Sequence, residues 1–148
     1  MEVGAPLVAR AAALDDVDEV VRLRQVMFDS MGVVAPDPDW VATCVAYLRD
    51  HLGGGGRLVA SGLVELQWRI PGAQNVLGRA AYVSSIATDE AFRRRGAARA
   101  VLVHLLDEAR RQGIEIVDLH ATAVGEGLYR DLGFAPRPQP ELRLHLGR

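Results

Sequence analysis

Between Leu14 and Met31 apolar residues recur at intervals of three and four. Leu14, Val17, Val20, Val21, Met27, Phe28 and Met31 share one helical face, with Arg24 among them. Asp15 precedes the run as an N-cap, and Asp18 and Glu19 fall in the first turn, where the helix dipole favours acids. The helix is expected to run to about Ser30 and stop at Gly32. Val33 to Asp39, with two prolines, reads as a loop. Asp39 then caps a second helix in which Trp40, Cys44, Tyr47 and Leu48 share a face.

Beyond Gly53–Gly56 the period changes. Arg57 to Ser61 and Leu63 to Ile70 read as two meander strands turning near Gly62, and Pro6 to Ala9 as a short first strand. Pro71 to Gly78 is a polar turn, and Arg79 to Thr88 is the central strand. Helical spacing returns from Ala97 to Gln112, with Ala98, Val101, Leu102, Leu105 and Ala109 as the buried stripe and Gly113 at C′. Ile114 to His120 is apolar on both faces, as a buried strand should be. Strand, helix and strand at this spacing predict a right-handed parallel crossover. A short helix follows over about Val124 to Leu132, weakened at Gly125 and Gly127 by about 1 kcal/mol each. Pro136, Pro138 and Pro140 exclude helix, and Glu141 to Leu146 alternates as a last strand. The pattern predicts one α/β domain over 1–148, with a mixed, mostly antiparallel sheet flanked by helices.

Composition narrows the function. A net charge of −2 argues against general nucleic-acid binding, and all 17 basic residues are arginine. The single cysteine, Cys44, excludes an intramolecular disulfide and a multi-cysteine zinc site. No stretch is long and apolar enough to span a membrane, and no signal-peptide pattern is visible, so the expected location is the cytoplasm. No Gly-Lys-Ser/Thr follows the four glycines at 53–56, so they read as a flexible connection rather than a nucleotide loop.

The chemistry is concentrated after the central strand. Arg93-Arg94-Arg95-Gly96-Ala97-Ala98 is small and basic at a helix start, where unpaired N–H groups and the dipole favour an anion. This Arg-x-x-Gly-x-Ala loop resembles the acyl-CoA signature of GNAT-type N-acetyltransferases. Leu128-Tyr129-Arg130-Asp131-Leu132-Gly133-Phe134 resembles the same family's Leu-Tyr-x-x-x-Gly-Phe segment.

The resemblance implies an acetyl-CoA cosubstrate, no metal, and transfer of the acetyl group to a primary amine on a small molecule or peptide. N–H groups from about Arg94 to Ala98 would bind the pyrophosphate, helped by side chains among Arg93, Arg94, Arg95 and Arg99. Ile86, Ala87 and Thr88 would meet the pantetheine arm through their backbone. Tyr129 would be the acid that protonates the departing sulfur. Thr122 stands where the family commonly has a cofactor-contacting asparagine, and Gly125 where it has an alanine. A homodimer through the final strands is compatible with the family and demanded by no residue.

Glu65 and His120 are candidate bases, weighed against a solvated glutamate and a core histidine. Met27, Phe28, Met31 and Trp40 are candidates for an acceptor pocket, and Asp37 and Asp39 for attraction of a cationic amine, against core stripe and solvated loop. A longer acyl-CoA donor, or a CoA-binding sensor with little turnover, are the alternatives left open.

Overall fold

The computed structural model describes residues 8–34, 39–51, 58–138 and 141–146. α1 (Val17–Ser30) starts one residue later than expected, at an Asp16 N-cap behind a 3-10 turn over Leu14–Asp16. Asp16 is fully buried, and it holds the preceding segment. Its carboxylate accepts from Arg10 at 2.7 and 2.9 Å and from the Ala13 amide at 2.8 Å. A buried carboxylate is tolerable only with such partners. Val17, Val21 and Leu23 bury the inner stripe, and Gly32, at φ +65°, ends the helix. α2 (Trp40–His51) packs on α1.

β1 (Ala60–Trp68) and β2 (Arg79–Thr88) form an antiparallel pair, and β3 (Val117–Leu119) adds in parallel on the far side of β2. The expected turn at Gly62 is absent: β1 is one strand. Register jumps from Ser61↔Ala87 to Leu63↔Ser84, so Ser85 and Ile86 together face Gly62. This is a β-bulge in β2, and its first residue, Ser85, has φ +55°. Gly62 leaves room there for side chains of β2 and α3. A Cβ on it would lie 2.5 Å from Ile86 Cδ1 and 2.8 Å from Val101 Cγ1. A glycine chosen for close approach was therefore read as a turn.

α3 (Ala97–Arg111) follows a 3-10 turn at Glu90–Phe92 and matches the periodic reading to one residue. Gly113 is left-handed as expected, at φ +70°. Buried Leu102 and Ala109 line the inner side of α3, and Ala109 joins Ala81, Ile114, Val64 and Val117 in one apolar cluster. β3 is shorter than the predicted Ile114–His120 strand, although the Ala81 amide also reaches Ile116 O at 2.9 Å. α4 (Glu126–Asp131) is shorter than its expected span, as two glycines near its start would cause.

Glu141–Leu146 is not a strand. It alternates in sequence but pairs with no ladder among the described residues, and Leu142, Leu144 and Leu146 are 89, 80 and 92% exposed. Alternation fits a pleated surface, yet a strand exists only where a neighbouring edge accepts it. Val8 and Ala9 also make no ladder pair, while Pro6 and Leu7 lie outside the described residues, as does Arg57 of the predicted meander.

Candidate active site

Side chains alternate across a strand, so the two faces of the sheet differ. Val64, Ala81 and Val117 point to α3, whereas Glu65, Tyr82 and Asp118 point away from it. The second face opens on a cavity of about 900 Å³ lined in part by Tyr82, His120 and Tyr129.

The β2–β3 ladder ends at Val83↔Leu119. From Ser84 onward β2 stays paired to β1, through Ser61↔Ala87 and Ala60↔Thr88, while its other edge has no ladder partner among the described residues. Ile86, Ala87 and Thr88 all lie on this stretch.

The basic loop follows directly. Asp89 Oδ1 accepts from the Ala91 amide at 3.1 Å and turns the chain. Arg94 at φ +57° and Gly96 at φ +83° then curl it into the start of α3. Left-handed residues alternating with right-handed or extended ones before a helix can turn backbone amides to one side, the arrangement of an anion nest. A Cβ built on Gly96 meets nothing within 4 Å, so the outer side is open. The residues present therefore fit a diphosphate.

The arginines divide by role. Arg93 is 4.0 Å from Glu90, and Arg95 lies 5.6 Å from the Phe92 ring centroid. Among the described residues Arg94 and Arg99 are exposed and have no ion-pair partner. Ala97 is buried and Ala98 half-buried in the first turn of α3.

Tyr129 sits on α4, half-buried, its ring edge-on to Phe134 at 6.1 Å. The Phe134 amide returns to Tyr129 O at 3.0 Å past Gly133, at φ +95°, closing the helix end. Among the described residues the Tyr129 hydroxyl has no hydrogen-bond partner. Burial pushes its pKa above the ordinary 10.0 of a phenol, so the proton is held at neutral pH. Gly125 makes room for this ring: a Cβ there would stand 2.9 Å from Tyr129 Cε2. Thr122 has a local task, since its Oγ1 accepts from the Gly125 amide at 3.3 Å and its carbonyl accepts from Gly125 and Glu126, both at 3.0 Å.

His120 is not a core histidine: its side chain is 51% exposed. Its Nδ1 meets the Tyr82 hydroxyl, and its Nε2 lies 2.7 Å from Glu141 Oε2. Tyr82, His120 and Glu141 thus form a continuous polar chain beside the end of the β2–β3 ladder. Burial first, and the Glu141 charge second, raise the Tyr82 pKa and keep that hydroxyl protonated. Glu65 also lines the cavity, with no ion-pair partner among the described residues. Asp118 is held by Arg69 at 3.2 Å and Arg137 at 3.5 Å.

Sequence reading missed Tyr82 and Glu141. Their places in a core-like strand and an expected last strand gave no signal of a shared site. Cys44 lies on α2 as a free thiol. Asp37 falls outside the described residues. Among the described residues no acidic, histidine or cysteine cluster could hold a metal, and no helix is long and apolar enough to cross a membrane.

The model of the acetyltransferase (GNAT) family matches residues 21–134. Among solved structures, the chain is similar to a predicted acetyltransferase with acetyl-CoA from Clostridium acetobutylicum. That likeness has a TM-score of 0.79 and 22% identity over 93% of this chain and 94% of that one. A GCN5-related N-acetyltransferase from Ralstonia eutropha JMP134 aligns with a TM-score of 0.70 and 25% identity, over 91% and 96% of the two chains. Glucosamine-6-phosphate N-acetyltransferase from Arabidopsis thaliana aligns at 0.66 and 15% identity, over 93% and 97%. Among curated proteins none matches by sequence.

Proposed function

The chain belongs to the GNAT acetyltransferase family, and from that premise we propose transfer of an acetyl group from acetyl-CoA to a primary amine by direct attack in a ternary complex. Amides of Arg94 to Ala98 hold the pyrophosphate, with Arg94 and Arg99 as the available side chains. The open edge of β2 at Ile86–Thr88 receives the pantetheine arm as an added strand would be received. Acetyl-CoA supplies the activated thioester; this chain's residues supply orientation and proton transfer.

The observation that carries this reading is Tyr129, half-buried with an unengaged hydroxyl, in the same cavity as Tyr82 and His120. Glu141 accepts the Nε2–H of His120, which leaves Nδ1 to accept the Tyr82 hydroxyl proton. The acceptor ammonium loses a proton to Tyr82 Oη as Tyr82 passes its own to His120, and Glu141 balances the imidazolium. The neutral amine then attacks the thioester carbonyl, and Tyr129 donates its proton to the departing sulfur. The proton left on the attacking nitrogen restores Tyr129. His120 finally releases its proton to solvent, so one proton is released per turnover.

Calorimetric titration with acetyl-CoA tests the cofactor loop. Asparagine and aspartate both tolerate the left-handed backbone of position 96, so Gly96→Asn and Gly96→Asp differ there chiefly in charge. Micromolar binding that survives Asn and is lost in Asp supports the diphosphate site, and thiol release on an amine panel then tests transfer. Equal binding by the two variants sinks the loop assignment.

A further inference from the structure

Arg24 is out of place by composition. It lies on the apolar stripe of α1, among buried Val21 and Leu23 and half-buried Phe28. Its guanidinium stands 5.4 Å from the Phe28 ring centroid, and Nη1 donates to the Ser85 hydroxyl. Nε has no solvent access and no hydrogen-bond partner, alone in this among the buried side-chain nitrogens and oxygens of the described residues. No described carboxylate forms an ion pair with it, whereas Arg10, Arg22, Arg69 and Arg130 each have one. Drawing a cation partly out of water without a counter-charge is unfavourable, and one aromatic ring and one hydroxyl offset only part of that cost.

The location supplies a reason. Ser85 is the left-handed bulge residue, at the point where β2 has parted from β3 and beside the stretch assigned to the pantetheine arm. Phe28 in turn meets Trp40 of α2 edge-on, with ring centroids 5.3 Å apart. A guanidinium, a hydroxyl and two aromatic rings therefore converge from α1, α2 and β2. A planar guanidinium fork matches a carboxylate.

We propose that Arg24 anchors a carboxylate carried by the amine acceptor, with Ser85 orienting the guanidinium and Phe28 and Trp40 receiving an apolar body. The acceptor class is then a small amino acid with an apolar side chain. This rests on the acetyl-transfer reading and adds the substrate to it.

Paired probes test it: L-phenylalanine against phenethylamine, and L-leucine against isopentylamine, each with saturating acetyl-CoA. The wild type should show a KM lower by roughly tenfold or more for the carboxylated member, the effect of one charge-assisted hydrogen bond. Arg24→Leu should erase that difference. Its Tm should hold or rise, because an unpaired charge gives way to an apolar side chain, and its acetyl-CoA affinity by calorimetry should match the wild type. Arg24→Lys, a point charge without the fork, should recover only part of the preference.

Equal handling of both members by the wild type, including no response to either while acetyl-CoA binds, overturns the proposal. So does Arg24→Leu slowing both members alike, which would assign Arg24 to the reacting centre or the fold. Failure of the acetyl-CoA titration itself removes the acetyl-transfer reading, and the anchor with it.

Discussion

The two faces of the β1–β2–β3 sheet are built from the same strands and differ in almost everything else. Toward α3 the side chains are Val64, Ala81, Val83 and Val117, all small and apolar, and Val64, Ala81 and Val117 pack in one cluster with Ala109 of α3. On the other face Glu65, Tyr82 and Asp118 alternate with them and line a cavity shared with His120 and Tyr129. A period of two lets neighbouring residues serve unrelated ends: one set supplies cohesion, and the next holds protons and charges. Mutations should therefore separate into two classes, changing stability without chemistry or chemistry without stability.

The largest expected effect is on cohesion. Leu102 is wholly buried, and Leu102→Ala should cost about 2–5 kcal/mol in urea unfolding. The molecules still folded should keep their turnover rate. On the cavity face, Tyr129→Phe should lower kcat by about a hundredfold or more in a thiol-release assay, with acetyl-CoA affinity and Tm nearly unchanged. Full activity in that variant would remove the acid role.

The pH dependence has a definite sign. Because burial raises the folded-state pKa of Tyr129 above 10.0, its stability contribution is intact below pH 10 and declines as pH rises beyond it. Tyr129→Phe should flatten part of that alkaline loss, and any alkaline limb of kcat due to Tyr129 should lie above pH 10.

Gly62 is where the comparison should break. It faces α3, yet it touches Ile86 of the bulge. Gly62→Val should cost about 1–3 kcal/mol by overpacking and also weaken acetyl-CoA binding by displacing the bulge. A pure stability loss would show that the bulge tolerates the shift. A smaller effect is expected from Gly125→Ala, whose methyl would crowd the Tyr129 ring and lower kcat a few-fold with little change in Tm. Smallest of all, Arg110→Ala removes an exposed pair with Asp107 and should change stability by less than about 0.5 kcal/mol.

Much of the fold was legible because local pattern and tertiary demand agree. α3 is long, periodic and closed by a glycine at φ +70°, so period and cap pointed to the same boundaries. Where they diverged, reading failed. Gly62 signals a turn in one sequence, but it answers to Ile86, which is distant in the chain. Glu141–Leu146 has the alternation of a strand but joins no ladder among the described residues. The basic loop before α3 and the Leu-Tyr-x-x-x-Gly-Phe segment were legible as motifs because each is local in the chain. The polar chain was not: Tyr82, His120 and Glu141 sit on three separate segments, brought together by β2–β3 pairing and the path of the tail. Arg24 was visible as a charge on an apolar stripe, and only its contacts made that informative.

The parallel ladder between β2 and β3 is three pairs long, and this has a consequence for amide exchange. Amides within Ala81–Val83 should exchange deuterium slowly, as part of the core, whereas those of β2 beyond Val83 that point away from β1 should exchange fast in the free protein. Saturation with acetyl-CoA should slow this second group selectively, so that a time course of deuterium uptake would trace the ligand's footprint along one strand edge before any acceptor is known.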